Sequence, residues 1–177
     1  MPKSKWSVDP AHSNIDFSVR HMMIAKVKGA FETFTAEVDA DPEDLTTAGI
    51  RFTIDAASIN TREKDRDAHL RSADFFDAEK FPNITFQSRS IAKKAEGEYE
   101  VTGDLTIRDV TRSETFTVTY EGTGKDPWGN ERVGFSGNGS VNRSDFGLTW
   151  NAVLETGGVL VGDEIKISFE IQATRQN

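Results

Sequence analysis

The 177-residue sequence contains no cysteine. That removes disulfides, thiolate nucleophiles and thiolate-bound zinc or iron–sulfur centres together. Histidine is scarce, at three residues, and neither His-x-His nor His-Glu-x-x-His occurs. A zinc site would have to be assembled from distant segments. No stretch approaches the ~20 apolar residues of a membrane-spanning helix, or the roughly 7–15 of a secretory signal core. This reading places the protein in the cytoplasm if the sequence is the whole gene product, and in the periplasm if a leader was removed. An excess of positive charge is also lacking. The 21 Lys+Arg face 29 Asp+Glu, a net charge of −8, which argues against nucleic acid as a partner. Familiar catalytic loops fail on inspection. Gly134-Phe-Ser136-Gly-Asn138 lacks the second glycine of a nucleophile elbow, and Asp126 stands where a phosphate loop after Gly122-x-Gly124-Lys125 needs Ser or Thr.

What the sequence has in plenty is alternation with period two. Ile15, Phe17 and Val19 share one parity, with Asp16, Ser18 and Arg20 on the other. Ile50, Phe52 and Ile54 repeat the pattern, as do Val101, Leu105 and Ile107, then Phe116, Val118 and Tyr120. Val133, Phe135 and Val141 follow, and Ile165, Ile167, Phe169 and Ile171 complete the set. Side chains of a strand alternate between faces, so each ribbon has one dry and one wet face. Half-wet strands are antiparallel, because parallel sheets are covered on both sides. Weaker strands near 28–39 and 83–91 bring the count to about eight. Eight such ribbons hide their dry faces by forming a sandwich or by closing into a barrel, and closure also removes free edges. A barrel of that size is either filled by side chains or holds one small ligand.

One segment departs from the rhythm. Residues 61–71 are polar and rich in helix formers, and Asn60 with Glu63 has capping-box spacing. We expect a single short exposed helix of about three turns, within one all-β domain spanning 1–177. The histidines read as a turn residue (His12), a rim residue sharing parity with Ile15, Phe17 and Val19 (His21), and a helix residue (His69). Twelve Phe and three Trp supply a large apolar interior, interleaved with Gly103, Gly137 and Gly139. Inward glycines remove side chains from a lumen or permit a bend. Two readings stay open here: a barrel plugged by its phenylalanines, or bulky walls with gaps that leave a long apolar cavity.

Several blocks resemble the YceI-like family of bacterial polyisoprenoid-binding proteins. They are Asp9-Pro-Ala-His-Ser-Asn-Ile-Asp-Phe-Ser-Val-Arg-His21 and Asp67-Ala-His-Leu-Arg-Ser-Ala-Asp-Phe-Phe-Asp77, the latter continuing through Phe81-Pro-Asn-Ile-Thr-Phe86. Gly103-Asp-Leu-Thr-Ile-Arg-Asp-Val-Thr111 is similar to the family's Gly-x-Leu-Thr-Ile-x-Gly-x-Thr strand and turn, with Asp109 where glycine is common. Arg143-Ser-Asp-Phe-Gly147 is similar to its Arg-x-Asp-Phe-Gly. The resemblance implies an antiparallel, eight-stranded, lipocalin-like barrel binding a long-chain isoprenoid or other amphiphilic lipid. It implies no cofactor, no metal and no established catalysis.

On that basis the expected tail wall comprises Phe17, Val19, Phe52, Ile54, Phe86, Leu105, Ile107, Phe116, Val118, Phe135, Val141 and Phe169, with Phe75 and Phe76 covering one mouth. His21 and Arg143 are the candidates for the lipid head. Arg143 shares parity with Phe135 and Val141, where an unpaired cation is costly to bury, so its alternative is a structural pair with Asp145 or another carboxylate. Competing with the lipid carrier are a barrel enzyme acting on an isoprenoid-type lipid and a filled barrel used as an interaction module. Oligomeric state stays open, a homodimer included.

Overall fold

The computed structural model describes residues 3–22, 24–151 and 161–176. Its strands are β1 (Ser4–Val8), β2 (Asn14–His21), β3 (Ala25–Phe31), β4 (Phe34–Asp41), β5 (Asp44–Asp55), β6 (Ile59–Asn60), β7 (Asn83–Ala95), β8 (Glu98–Ile107), β9 (Val110–Lys125), β10 (Glu131–Asn142) and β11 (Val161–Arg175). Among the described residues there is one α-helix, α1 (Lys64–Arg71). All the strand pairs are antiparallel, as the half-wet alternation requires.

Eleven segments make eight ribbons. β1 and β2 lie end to end along β11, pairing with residues 173–175 and with residues between 161 and 170. A 3₁₀ turn at Pro10–His12 separates them, where proline cannot donate to the ladder. β3 pairs with β2, and β4 pairs with β1. The expected strand over 28–39 is therefore one ribbon bent at Glu32-Thr33. The order β1-β4-β5-β7-β8-β9-β10-β11 returns to β1, which closes the barrel. The segments that periodicity missed are β1 and the two-residue β6; in β1, five residues with Trp6 and Val8 alone on the dry side carry too short a signal. In the tight turn joining β8 to β9, the left-handed residue is Arg108 (φ 56°); Asp109, where family members commonly carry glycine, is not.

The helix departs from expectation at its start. Glu63 itself is the N-cap, its carboxylate accepting from the backbone N–H groups of Asp65 (3.2 Å) and Arg66 (2.7 Å). Asn60 instead accepts from Arg62 N–H at 2.8 Å and donates to Glu32 at 2.7 Å. Arg62 is left-handed (φ 65°), so the helical path cannot extend upstream and α1 runs eight residues, about two turns. Buried Asp67 fastens it to the end of β6, accepting from the N–H (2.9 Å) and hydroxyl (2.5 Å) of Thr61.

Trp6, buried and donating its indole N–H to the Ala40 carbonyl at 3.2 Å, packs with Val38, Leu45 and Val133 and closes the end of the barrel built by β1 and β4. Beside it, Arg132 ties the first turn to the β9–β10 loop by pairing with Asp9 and Asp126, each at 2.9 Å. His12 and Arg132 hold the Asp9 carboxyl down at about 2. Burial pushes Asp126 up, but the N–H of Asn130 and the Arg132 guanidinium outweigh it and hold Asp126 at about 2. A depressed carboxylate stabilises the fold above its unfolded value and stops doing so as pH falls through the folded one. The contribution is therefore complete above about pH 4 and gone below about pH 2. In chemical denaturation across that window, Asp9→Asn/Asp126→Asn should lose stability less steeply with acid than the wild type. Parallel curves would show that this cluster does not couple to folding.

Candidate functional site

The inward faces enclose an apolar cavity of about 540 Å³. A lumen needs only ~10–15 Å³ by this measure to admit one water, so the barrel is not plugged. Each of the sixteen residues chosen above as wall, cover or head partner lines this space. Periodicity could have added more. Ile15, Val101, Ile165 and Ile167 share the dry parity and line the cavity too. Leu148, Trp150 and His69 line it from segments without alternation, and nothing in their spacing marked them.

The cavity does not arise from glycine gaps, which corrects one expectation. A Cβ at Gly137 would come within 2.6 Å of the Phe169 ring, and one at Gly139 would reach 3.0 Å from a Phe116 ring carbon. Likewise the Phe86 ring lies against Gly103, and Phe17 against Gly29, its partner in register. Four phenylalanine rings thus occupy the space beside glycines of neighbouring strands. The missing Cβ atoms hold each ring against the wall, and the width of the lumen follows from that.

One mouth is polar. Arg143 opens a 3₁₀ turn, Arg143–Phe146, that ends at left-handed Gly147 (φ 78°) while Phe146 enters the core. Arg143 as a whole is 5% exposed. Its guanidinium donates to the carbonyls of Gly162 (2.9 Å), Leu148 (2.7 Å), Trp150 (2.8 Å) and Val161 (3.2 Å). Its partners are thus backbone carbonyls, and among the described residues neither Asp145 nor another carboxylate pairs with it. Asp145 is exposed, and its carbonyl accepts from Arg112 Nε at 3.1 Å. Burial pulls the Arg143 pKa down, partly opposed by Asp163. Four carbonyls offer a cation the solvation that the apolar surroundings lack.

His21, at the end of β2, faces the same opening. His69 on α1 bonds Asp74 through Nε2 at 2.8 Å and stands edge-on to Trp150 (centroids 4.6 Å) and Phe75 (5.1 Å). Phe76 packs edge-on against Phe31 at 5.7 Å. Helix and aromatic loop therefore border this mouth, with donors at its rim and hydrocarbon below. Among the described residues, no three His, Asp or Glu side chains are grouped to hold a metal ion.

Comparison with known proteins agrees with this architecture. Residues 6–173 match the YceI-like domain. A UPF0312 protein of Staphylococcus aureus strain N315 is 40% identical over 171 residues, covering 96% of each chain. The crystal structure of Burkholderia cenocepacia BcnA superposes with a TM-score of 0.83 at 32% identity, covering 94% of this chain and 99% of that one. The Campylobacter jejuni YCEI protein gives 0.77 at 33% identity, with 89% and 90% covered. A polyisoprenoid binding domain from Saccharophagus degradans shares the fold (TM-score 0.69, 13% identity, 97% and 98% covered). By sequence and fold alike, the chain belongs to the family of YceI-like domains.

Proposed function

We propose that the barrel binds a long-chain amphiphilic lipid of isoprenoid type in its lumen, for transport, storage or sequestration, and that it is not an enzyme. The observation carrying this reading is the open, phenylalanine-walled cavity of about 540 Å³ with Arg143, His21 and His69 among its lining residues. A hydrocarbon tail needs an apolar sleeve, and an amphiphile's head needs donors where the sleeve opens. The solved domain of Saccharophagus degradans is described as polyisoprenoid binding, which favours the same class. Binding is preferred to catalysis because the rim groups are committed: Arg143 to carbonyls and His69 to Asp74.

Energetics restrict how such a carrier works. Burying ~40 carbons from water at ~0.8 kcal/mol each would give ~30 kcal/mol. Non-covalent affinities saturate near 18–21 kcal/mol. The lipid must therefore come from a bilayer that is already apolar, so that moving the tail is nearly neutral. Selection then rests on tail length, cavity shape and the contacts of the head.

Protein purified from its native source without detergent should release an isoprenoid-type lipid on solvent extraction, near one per chain by mass spectrometry. Leu105→Trp puts an indole into the lumen and should lower that yield about tenfold, on the scale of ~1–3 kcal/mol for overpacking. An extract free of lipid, or an unchanged yield from the variant, would overturn the proposal.

A further inference from the structure

We propose that the turn joining β2 to β3 docks the barrel on a bilayer bearing anionic headgroups. Met22 is 43% exposed and Ile24 is 83% exposed, and they are two of the three large apolar side chains that stand out in solvent among the described residues. The third, Trp128, lies at the opposite end of the barrel, in the loop between β9 and β10. Met22 is left-handed (φ 55°), and Ile24 N–H returns to the His21 carbonyl at 3.3 Å. The chain is thereby reversed tightly, with both side chains at the tip instead of folded onto the sheet.

The outer face behind this tip is basic. Arg20 stands opposite Lys26 in register, and Ser18 stands between Lys28 on one side and Lys166 on the other. All four cations are exposed. Among the described residues Lys26, Lys28 and Lys166 form no ion pair; Arg62 borders the same surface, and Asp16, Glu32 and Glu164 border it too and offset part of the charge. In a chain of net charge −8, such a block meets an anionic surface in one orientation only. Apolar side chains beside lysines are what the headgroup boundary of a bilayer accommodates, the former entering it and the latter pairing with phosphates.

The tip also stands beside the polar mouth. His21, next to Met22 in the chain, lines the cavity, while Arg20 begins the basic face. Docking by this turn brings the opening of the lumen to the membrane. This goes beyond lipid binding itself and is tested separately from it.

The full chain should sediment with vesicles of phosphatidylcholine containing one part in three of phosphatidylglycerol, and not with phosphatidylcholine alone. The partition should fall as salt is raised. Lys26→Glu/Lys28→Glu should reduce partitioning at least tenfold, since each basic residue near such a surface contributes about fivefold. Met22→Ser/Ile24→Ser, which leaves the charge unchanged, should reduce it by roughly tenfold as well. Equal binding to both vesicle types, or wild-type partitioning by either double variant, overturns the docking surface. Lipid extracted from Lys26→Glu/Lys28→Glu serves as the second readout. A wild-type yield with lost partitioning supports docking as a separate surface, and a yield that falls in parallel overturns that separation. Failure to extract any lipid from the wild type would count against the carrier reading while leaving vesicle binding measurable.

Discussion

Arg143→Met is expected to lower stability by about 3–5 kcal/mol, the cost of breaking a buried charged network. For a chain of this length the melting temperature should fall by roughly 10 °C. Methionine matches the volume and carries no charge, so the loss comes from the carbonyls left behind. Val161 keeps a second donor, Asn151 Nδ2 at 2.7 Å. The Gly162, Leu148 and Trp150 carbonyls lose the guanidinium, and a buried acceptor left unpaired costs about 1–3 kcal/mol. Arg143→Lys should rescue little, since one compact ammonium with three donors cannot satisfy four carbonyls. Calorimetry decides: if either variant melts with the wild type, Arg143 is no structural pin, and its role moves back toward the lipid head.

The second large effect separates two glycines that look alike in the sequence. A Cβ at Gly103 would meet the Gln87 carbonyl, coming within 2.9 Å of its carbon, where β7 bulges against β8. Backbone cannot yield there without breaking the ladder, so Gly103→Ala should destabilise by more than about 3 kcal/mol and shift the denaturation midpoint accordingly. A Cβ at Gly137 meets only the far edge of the Phe169 ring, which has an empty lumen to swing into. Gly137→Ala should therefore cost only ~1 kcal/mol while narrowing the cavity. Its extractable lipid should fall out of proportion to its stability, and Phe169→Leu in the same chain should restore it. A Gly103→Ala protein as stable as Gly137→Ala would show that bulk against the backbone is tolerated at both places.

The alternation of Ile15-Phe17-Val19 or Ile165-Ile167-Phe169 determined by itself that these segments are strands, which face is dry, and that the sheet is antiparallel. Those facts are local, because a strand's side chains alternate whatever it pairs with. The wall residues were legible for the same reason. The helix was legible as an interruption, but its start was not, because Glu63 competes with Asn60 for the cap and left-handed Arg62 settles which one wins. Only the tertiary structure decided that the lumen is open. Phenylalanine on the dry parity fills a barrel or lines it depending on where its ring turns, and that is set by glycines on the neighbouring strand, such as Gly29 opposite Phe17 and Gly137 opposite Phe169. Register across strands is a long-range property that no single segment records. Arg143 follows the same logic: parity turned it inward, while the four carbonyls that receive it belong to chain 5 to 19 residues further on, brought there by the closure of the barrel.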